Sequence, residues 1–113
     1  MTPSEAARIV DSRDGPAFVA LMRDADAEFE DDSFEPAVAD ALRAEPELIR
    51  RWHLWSRDQR WTPSAFVEGL ETGWYDGGNR HVRTHQDQAS AVADFIHRMA
   101  SWMAQRRVIE FDQ

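Results

Sequence analysis

GWYDGGNRHVRTH, residues 73–85, is the stretch whose reading decides the fold. Asp76-Gly77-Gly78-Asn79 lies at its centre. Glycine reaches positive φ at no steric cost, so a Gly-Gly pair suits the tight connection between two antiparallel strands. Thr72 to Thr84 therefore reads as two short strands. Trp74, Val82 and Tyr75 are expected to pack on helices, with Arg80 and His81 on the polar side. This hairpin makes the chain α+β: a predominantly helical single domain, residues 1–113, with a short antiparallel hairpin or small sheet around residues 72–85.

Upstream, two readings compete. Thr62 suits an N-cap and Pro63 the first helical position, while Trp61 and Phe66 are spaced for a hydrophobic staple. That helix would run to Glu71 or Thr72 and close at Gly73. Against it, Gly69 falls in its interior, and Ala65-Phe66-Val67-Glu68-Gly69 also reads as an extended segment that would give the hairpin a third strand. Residues 46–55 are similarly double. As a helix, Leu48, Trp52 and Trp55 share a side; as a strand, the apolar residues split between faces. The helix sorts them better.

Helical periodicity accounts for much of the rest. Ser4 can cap a short helix reaching Asp11. Pro16 opens an amphipathic helix over residues 16–30, with Phe18, Leu21, Met22, Ala25 and Phe29 on its inner side. Ser33 can cap the next helix, whose inner residues are Phe34, Val38, Ala41 and Leu42, and Glu45-Pro46 interrupts it. Asp87 can cap the last helix. There Val92, Phe95, Ile96, Met99, Trp102 and Met103 form one stripe, and Val108, Ile109 and Phe111 could add a short edge strand. The first two helices and the last are expected to supply most of the core.

A chain of 113 residues hides roughly two-thirds of its unfolded surface, enough for a core without covalent staples. Its 21 acidic and 13 basic residues give a formal charge of −8. Every basic residue is arginine, which fits the codon bias of a GC-rich bacterial genome. The negative field repels phosphate backbones, so nucleic acid is not an expected partner. The absence of cysteine removes disulfides, thiolate chemistry and cysteine zinc sites. No basic segment leads into an apolar run near the N-terminus, and no apolar stretch is long enough to span a bilayer, so a cytoplasmic location without membrane contact is expected.

Few catalytic arrangements survive. Gly69, Gly73, Gly77 and Gly78 match no phosphate-cradling pattern, and there is no lysine to reach a phosphate. Neither Ser56 nor Ser64 lies in a nucleophile elbow. The catalytic residues are unknown at this level and no cofactor is expected. His81, His85 and Asp87 are weak metal candidates. On one strand the two histidines point the same way but stand roughly 13 Å apart, with Arg83 between them.

Recognition is easier to support. Asp24, Asp26, Glu28, Glu30, Asp31 and Asp32 form an acidic run that would steer a basic protein. Trp55, Tyr75 and Arg80 are the residue types that anchor interfaces. The expectation is a non-enzymatic protein-interaction module, an acidic inhibitor or immunity-like protein that binds a basic partner. The alternative is a small metal- or ligand-dependent enzyme using His81, His85 and an aspartate. A homodimer joined through the tryptophan-rich side, Trp52, Trp55, Trp61 and Trp74, is a third arrangement.

Overall fold

The first helix begins with a reciprocal cap. The Thr2 hydroxyl accepts the Glu5 N–H at 3.1 Å, and the Glu5 carboxylate accepts the Thr2 N–H at 3.2 Å. Two helix-end donors are thereby satisfied at once. Pro3 follows at the start of the helix, so Thr2, rather than Ser4, sets the boundary. The computed structural model describes residues 2–11, 32–57, 65–76 and 78–111. The helix expected over residues 16–30 and the staple built on Trp61 lie outside the described residues.

The elements run α1 Pro3–Val10, α2 Phe34–Ala44, α3 Glu47–Ser56, β1 Ala65–Glu68, β2 Glu71–Asp76, β3 Asn79–Thr84 and α4 Gln88–Phe111. The architecture is α+β: mostly helical, with one small antiparallel sheet of order β1-β2-β3. Glu45 and Pro46 separate α2 from α3, and the ambiguous segment after them is helical. Its period places Leu48 and Trp52 in the core.

The segment with two competing readings is a strand. Ala65 and Val67 are buried, while Phe66 is half-buried and Glu68 exposed. That alternation has the period of two that a strand requires. Gly69, the residue that counted against a helix, adopts φ +58° at the first central position of the β1–β2 turn. The sheet pairs Phe66 with Gly73 and Val67 with Thr72, then Gly73 with Val82, Trp74 with His81 and Tyr75 with Arg80.

Asp87 caps α4 as its position suggested, its Oδ1 accepting the Ser90 N–H at 2.8 Å. The helix then continues to Phe111. Val108, Ile109 and Phe111 are thus helical rather than an edge strand, because no glycine or proline interrupts residues 88–111. The core joins Ile9 and Val10 of α1, Phe34, Val38 and Leu42 of α2, and Val92, Phe95, Ile96 and Met99 of α4. Among the described residues, no helix is long and apolar enough to cross a membrane.

Candidate protein interface

The two sides of the sheet have different chemistry. Ala65, Val67, Thr72 and Trp74 point one way, and β1 and β2 lay this side on α4. The Thr72 hydroxyl, fully buried, donates to the Ala91 carbonyl at 2.6 Å. The period of two sends Phe66, Tyr75, Arg80 and Val82 to the other side. Tyr75 is 49% exposed and Val82 is 44% exposed.

Gly73 forms the floor of this outer side. The Phe66 ring lies across it, in the space where a Cβ would stand. An aromatic laid over a cross-strand glycine restores the contact that the glycine lacks. Tyr75 extends the surface, its ring centroid 6.0 Å from that of Phe66. Arg80, directly opposite Tyr75 in register, holds its guanidinium 4.9 Å above the Phe66 ring, within cation–π range. Two of the residues chosen as anchors from sequence, Tyr75 and Arg80, are therefore cross-strand neighbours on one exposed face.

Two assignments change. Val82 and Tyr75 do not pack on helices. Arg80 and His81, being consecutive in a strand, cannot share a side. His81 belongs with Trp74, stacked at 5.4 Å between ring centroids. The Arg98 guanidinium lies 3.5 Å from the Trp74 ring centroid on α4's side.

A polar network continues from Arg98. Its Nε stands 2.9 Å from Asp94 Oδ1, one turn back on α4. This is an ion pair whose N–H is not aimed along the contact. The other Asp94 oxygen is 2.9 Å from His85 Nε2. Asp94 is 1% exposed, and a buried carboxylate needs such partners. His97 Nδ1 meets Glu35 Oε2 at 2.9 Å across the α2–α4 contact. That bond holds the Glu35 carboxyl below the usual range against the opposing effect of burial.

An open cleft of about 570 Å³ runs beside this network, with Glu35, Asp40, Arg43, Arg83, His85 and Ser90 on its walls. Asp32, exposed, stands at its rim. Asp87 is held down to about 2, first by the Ser90 backbone N–H and then by Arg43. Arg43 Nε donates to Asp87 at 3.1 Å.

The three weak metal candidates diverge: His81 stacks on Trp74, His85 bonds Asp94 and Asp87 bonds Ser90 and Arg43. Among the described residues, no group of three or more His, Cys, Asp or Glu side chains could hold an ion. Trp55 is half-buried, 4.7 Å from Trp52 between ring centroids, and packs against the core. Asp24, Asp26, Glu28, Glu30 and Asp31 lie outside the described residues.

Sequence reasoning assigned no site role to Glu35, Asp94 or Arg98, and it read Phe66 only as a staple or strand residue. The four-residue spacing of Asp94 and Arg98 was a usable signal, because it puts both on one side of a helix. Neither protein-family models nor curated proteins nor solved structures give a match to this chain.

Proposed function

We propose that this chain is a non-enzymatic protein-interaction module. The observation that carries the reading is the exposed outer face of the sheet, where Phe66, Tyr75 and Val82 surround Gly73 beneath Arg80. Large aromatics locked by their neighbours lose little freedom on binding, and arginine adds directed donors. In its finer form the reading is an acidic inhibitor, immunity-like, that binds a basic protein. The formal charge of −8 supports that form, since it raises the encounter rate with a cation-rich partner.

Affinity capture from a cell extract, with the bound protein quantified, tests the reading. The intact chain should retain a partner in near-equal amount. Tyr75→Ala should weaken retention at least ~30-fold, the effect of a central anchor worth about 2 kcal/mol. High salt should slow capture if the net charge steers the encounter. Undiminished capture by a folded Tyr75→Ala variant would remove this face from the reading.

One observation favours a second reading, ligand binding in the cleft. His85 lines the cleft while its Nε2 is engaged by buried Asp94, leaving Nδ1 as the nitrogen for a ligand. This narrows the enzyme alternative to His85 and Asp94 and leaves His81 out. A small-molecule screen followed by His85 ring NMR would end it if no compound moved the ring signals.

A further inference from the structure

The two edges of the sheet are treated differently. At the β1 edge, the Ser56 hydroxyl of α3 shares its one proton between the His53 carbonyl at 2.9 Å and the Val67 carbonyl at 3.2 Å, and α3 packs on β1, so a helix covers that edge. At the β3 edge, all six residues from Asn79 to Thr84 are exposed. The direction of its backbone groups follows from one bond. His85 N–H donates to the Leu70 carbonyl at 2.8 Å, and these positions continue the β2–β3 register. Hydrogen-bonded pairs alternate in an antiparallel ladder. Arg83 and His81 therefore turn their N–H and C=O toward β2, while Arg80, Val82 and Thr84 turn theirs outward.

An edge with outward N–H and C=O groups is a template for another strand. The side chains select which strand. Asn79-Arg80-His81-Val82-Arg83-Thr84 contains two arginines and no acid, in a protein whose net charge is −8. Self-pairing about a two-fold at Val82 would set Arg83 opposite His81 of the second copy and gather four arginines along one seam. In that register each arginine faces His81 or Thr84, but the Arg83 side chains of the two copies are diagonal neighbours on one side of the sheet, within reach of each other, and like charges there repel. An acidic segment turns the same cations into partners. The net charge of −8 slows the approach of any acidic segment, and the two exposed arginines offset it only at close range, within about 8 Å at physiological salt.

We propose that β3 accepts an acidic, extended segment of a partner protein as a fourth, antiparallel strand. Val82 exchanges both of its outward hydrogen bonds with a β-branched residue of that segment. The residue before it in the partner chain lies opposite Arg83, and the residue two after it lies opposite Arg80. The recognised pattern is thus acid, β-branched, any residue, acid. Arg80 anchors the outer side beside Phe66 and Tyr75, and Arg83 anchors the side nearer the cleft. This inference rests on the interaction-module reading and specifies how one of its contacts is made.

The test uses the whole chain and three synthetic peptides of about six residues, the usual strand length. The first carries the acidic pattern. The second replaces its acids with lysine. The third is the acidic peptide N-methylated at its β-branched residue, whose amide is the one that would bond Val82. Proton–nitrogen NMR with amide exchange should show the acidic peptide slowing exchange at Arg80, Val82 and Thr84 at least ~10-fold. The lysine and N-methylated peptides should leave these amides unchanged, and Arg80→Glu with Arg83→Glu should transfer the effect to the lysine peptide. Unchanged β3 amides with the acidic peptide, or equal protection by the lysine peptide, would overturn strand addition. So would peptide-free protection of the same amides together with a dimer in light scattering, which would make a second copy the occupant. If partner capture still depends on Tyr75 in any of these cases, the interaction module survives and strand addition alone fails. If capture is also absent, both fail.

Discussion

Replacing Trp52 with phenylalanine should destabilise the domain by about 2–4 kcal/mol, and the structure supplies both parts of that figure. Val10 is the last residue of α1, where a helix leaves carbonyls without intrahelical donors. Trp52 Nε1 donates to the Val10 carbonyl at 2.9 Å. Both residues are buried, at 1% and 2% exposure, so water has little access to replace the indole. Leaving such a carbonyl unpaired costs about 1–3 kcal/mol. The lost part of the ring removes roughly 40 Å² of buried apolar surface, or about 1 kcal/mol.

For a chain of this size each kcal/mol moves the melting temperature by about 4 °C, so the midpoint should fall about 8–16 °C. Thermal melts followed by far-UV circular dichroism avoid relying on the fluorophore that is removed. Trp55→Phe is the matched control: its ring also touches the Trp52 ring but is only half-buried. It should cost less than about 1 kcal/mol by the same area reasoning. An equal or larger loss from Trp55→Phe would refute the idea that the indole N–H caps α1.

Asp87→Ala should cost about 1 kcal/mol by removing the α4 cap, whereas Asp87→Asn keeps the cap and should lose only a few tenths from the exposed pair with Arg43; urea titrations of both variants check the order. The Asp87 carboxyl is held down to about 2, so its contribution is present above the unfolded value and disappears as pH falls through about 2; the acid limb should flatten in Asp87→Asn. Burial, and then Arg57, push the His53 imidazole below its ordinary value. The unfolded chain therefore binds the extra proton first, and stability should decline as pH drops below about 6.5. Equilibrium unfolding at several pH values should show that part of the slope vanish in His53→Gln. Gly73→Ala places a methyl where the Phe66 ring lies, so the nuclear Overhauser contacts between that ring and residue 73 should weaken while the fold persists; an unmoved ring would contradict the described packing.

The hairpin was legible because its turn chemistry is local: Asp76-Gly77-Gly78-Asn79 declares a tight connection whatever surrounds it. β1 was ambiguous for an equally local reason. Four residues give too little periodicity to outweigh the Thr62-Pro63 helix-start signal, and only pairing with β2 resolves the segment. Arg80 and His81 were wrongly assigned to one polar side because an edge strand is polar on both sides, which hides its period of two. The Glu35–His97 contact joins residues 62 apart in sequence. No spacing rule reaches that distance, so that part of the polar network became visible only when α2 was laid on α4.

The position of Asp94 shows how an exposed edge strand is held in place. Its neighbours Ala93 and Phe95 are core residues, so an apolar side chain would have suited the site by burial alone. The carboxylate instead engages His85, just beyond β3, and pairs with Arg98, whose guanidinium covers Trp74. β3 is thus held by its β2 ladder, by the His81–Trp74 stack and by a polar anchor at its end, rather than by burial. Polar contacts fix direction as well as distance. An edge strand held this way can keep all six residues exposed without losing its register. Exposure of β3 is therefore compatible with the rigidity that a recognition surface needs, and Phe66, Tyr75 and Arg80 inherit that rigidity through cross-strand pairing with Gly73 and with each other.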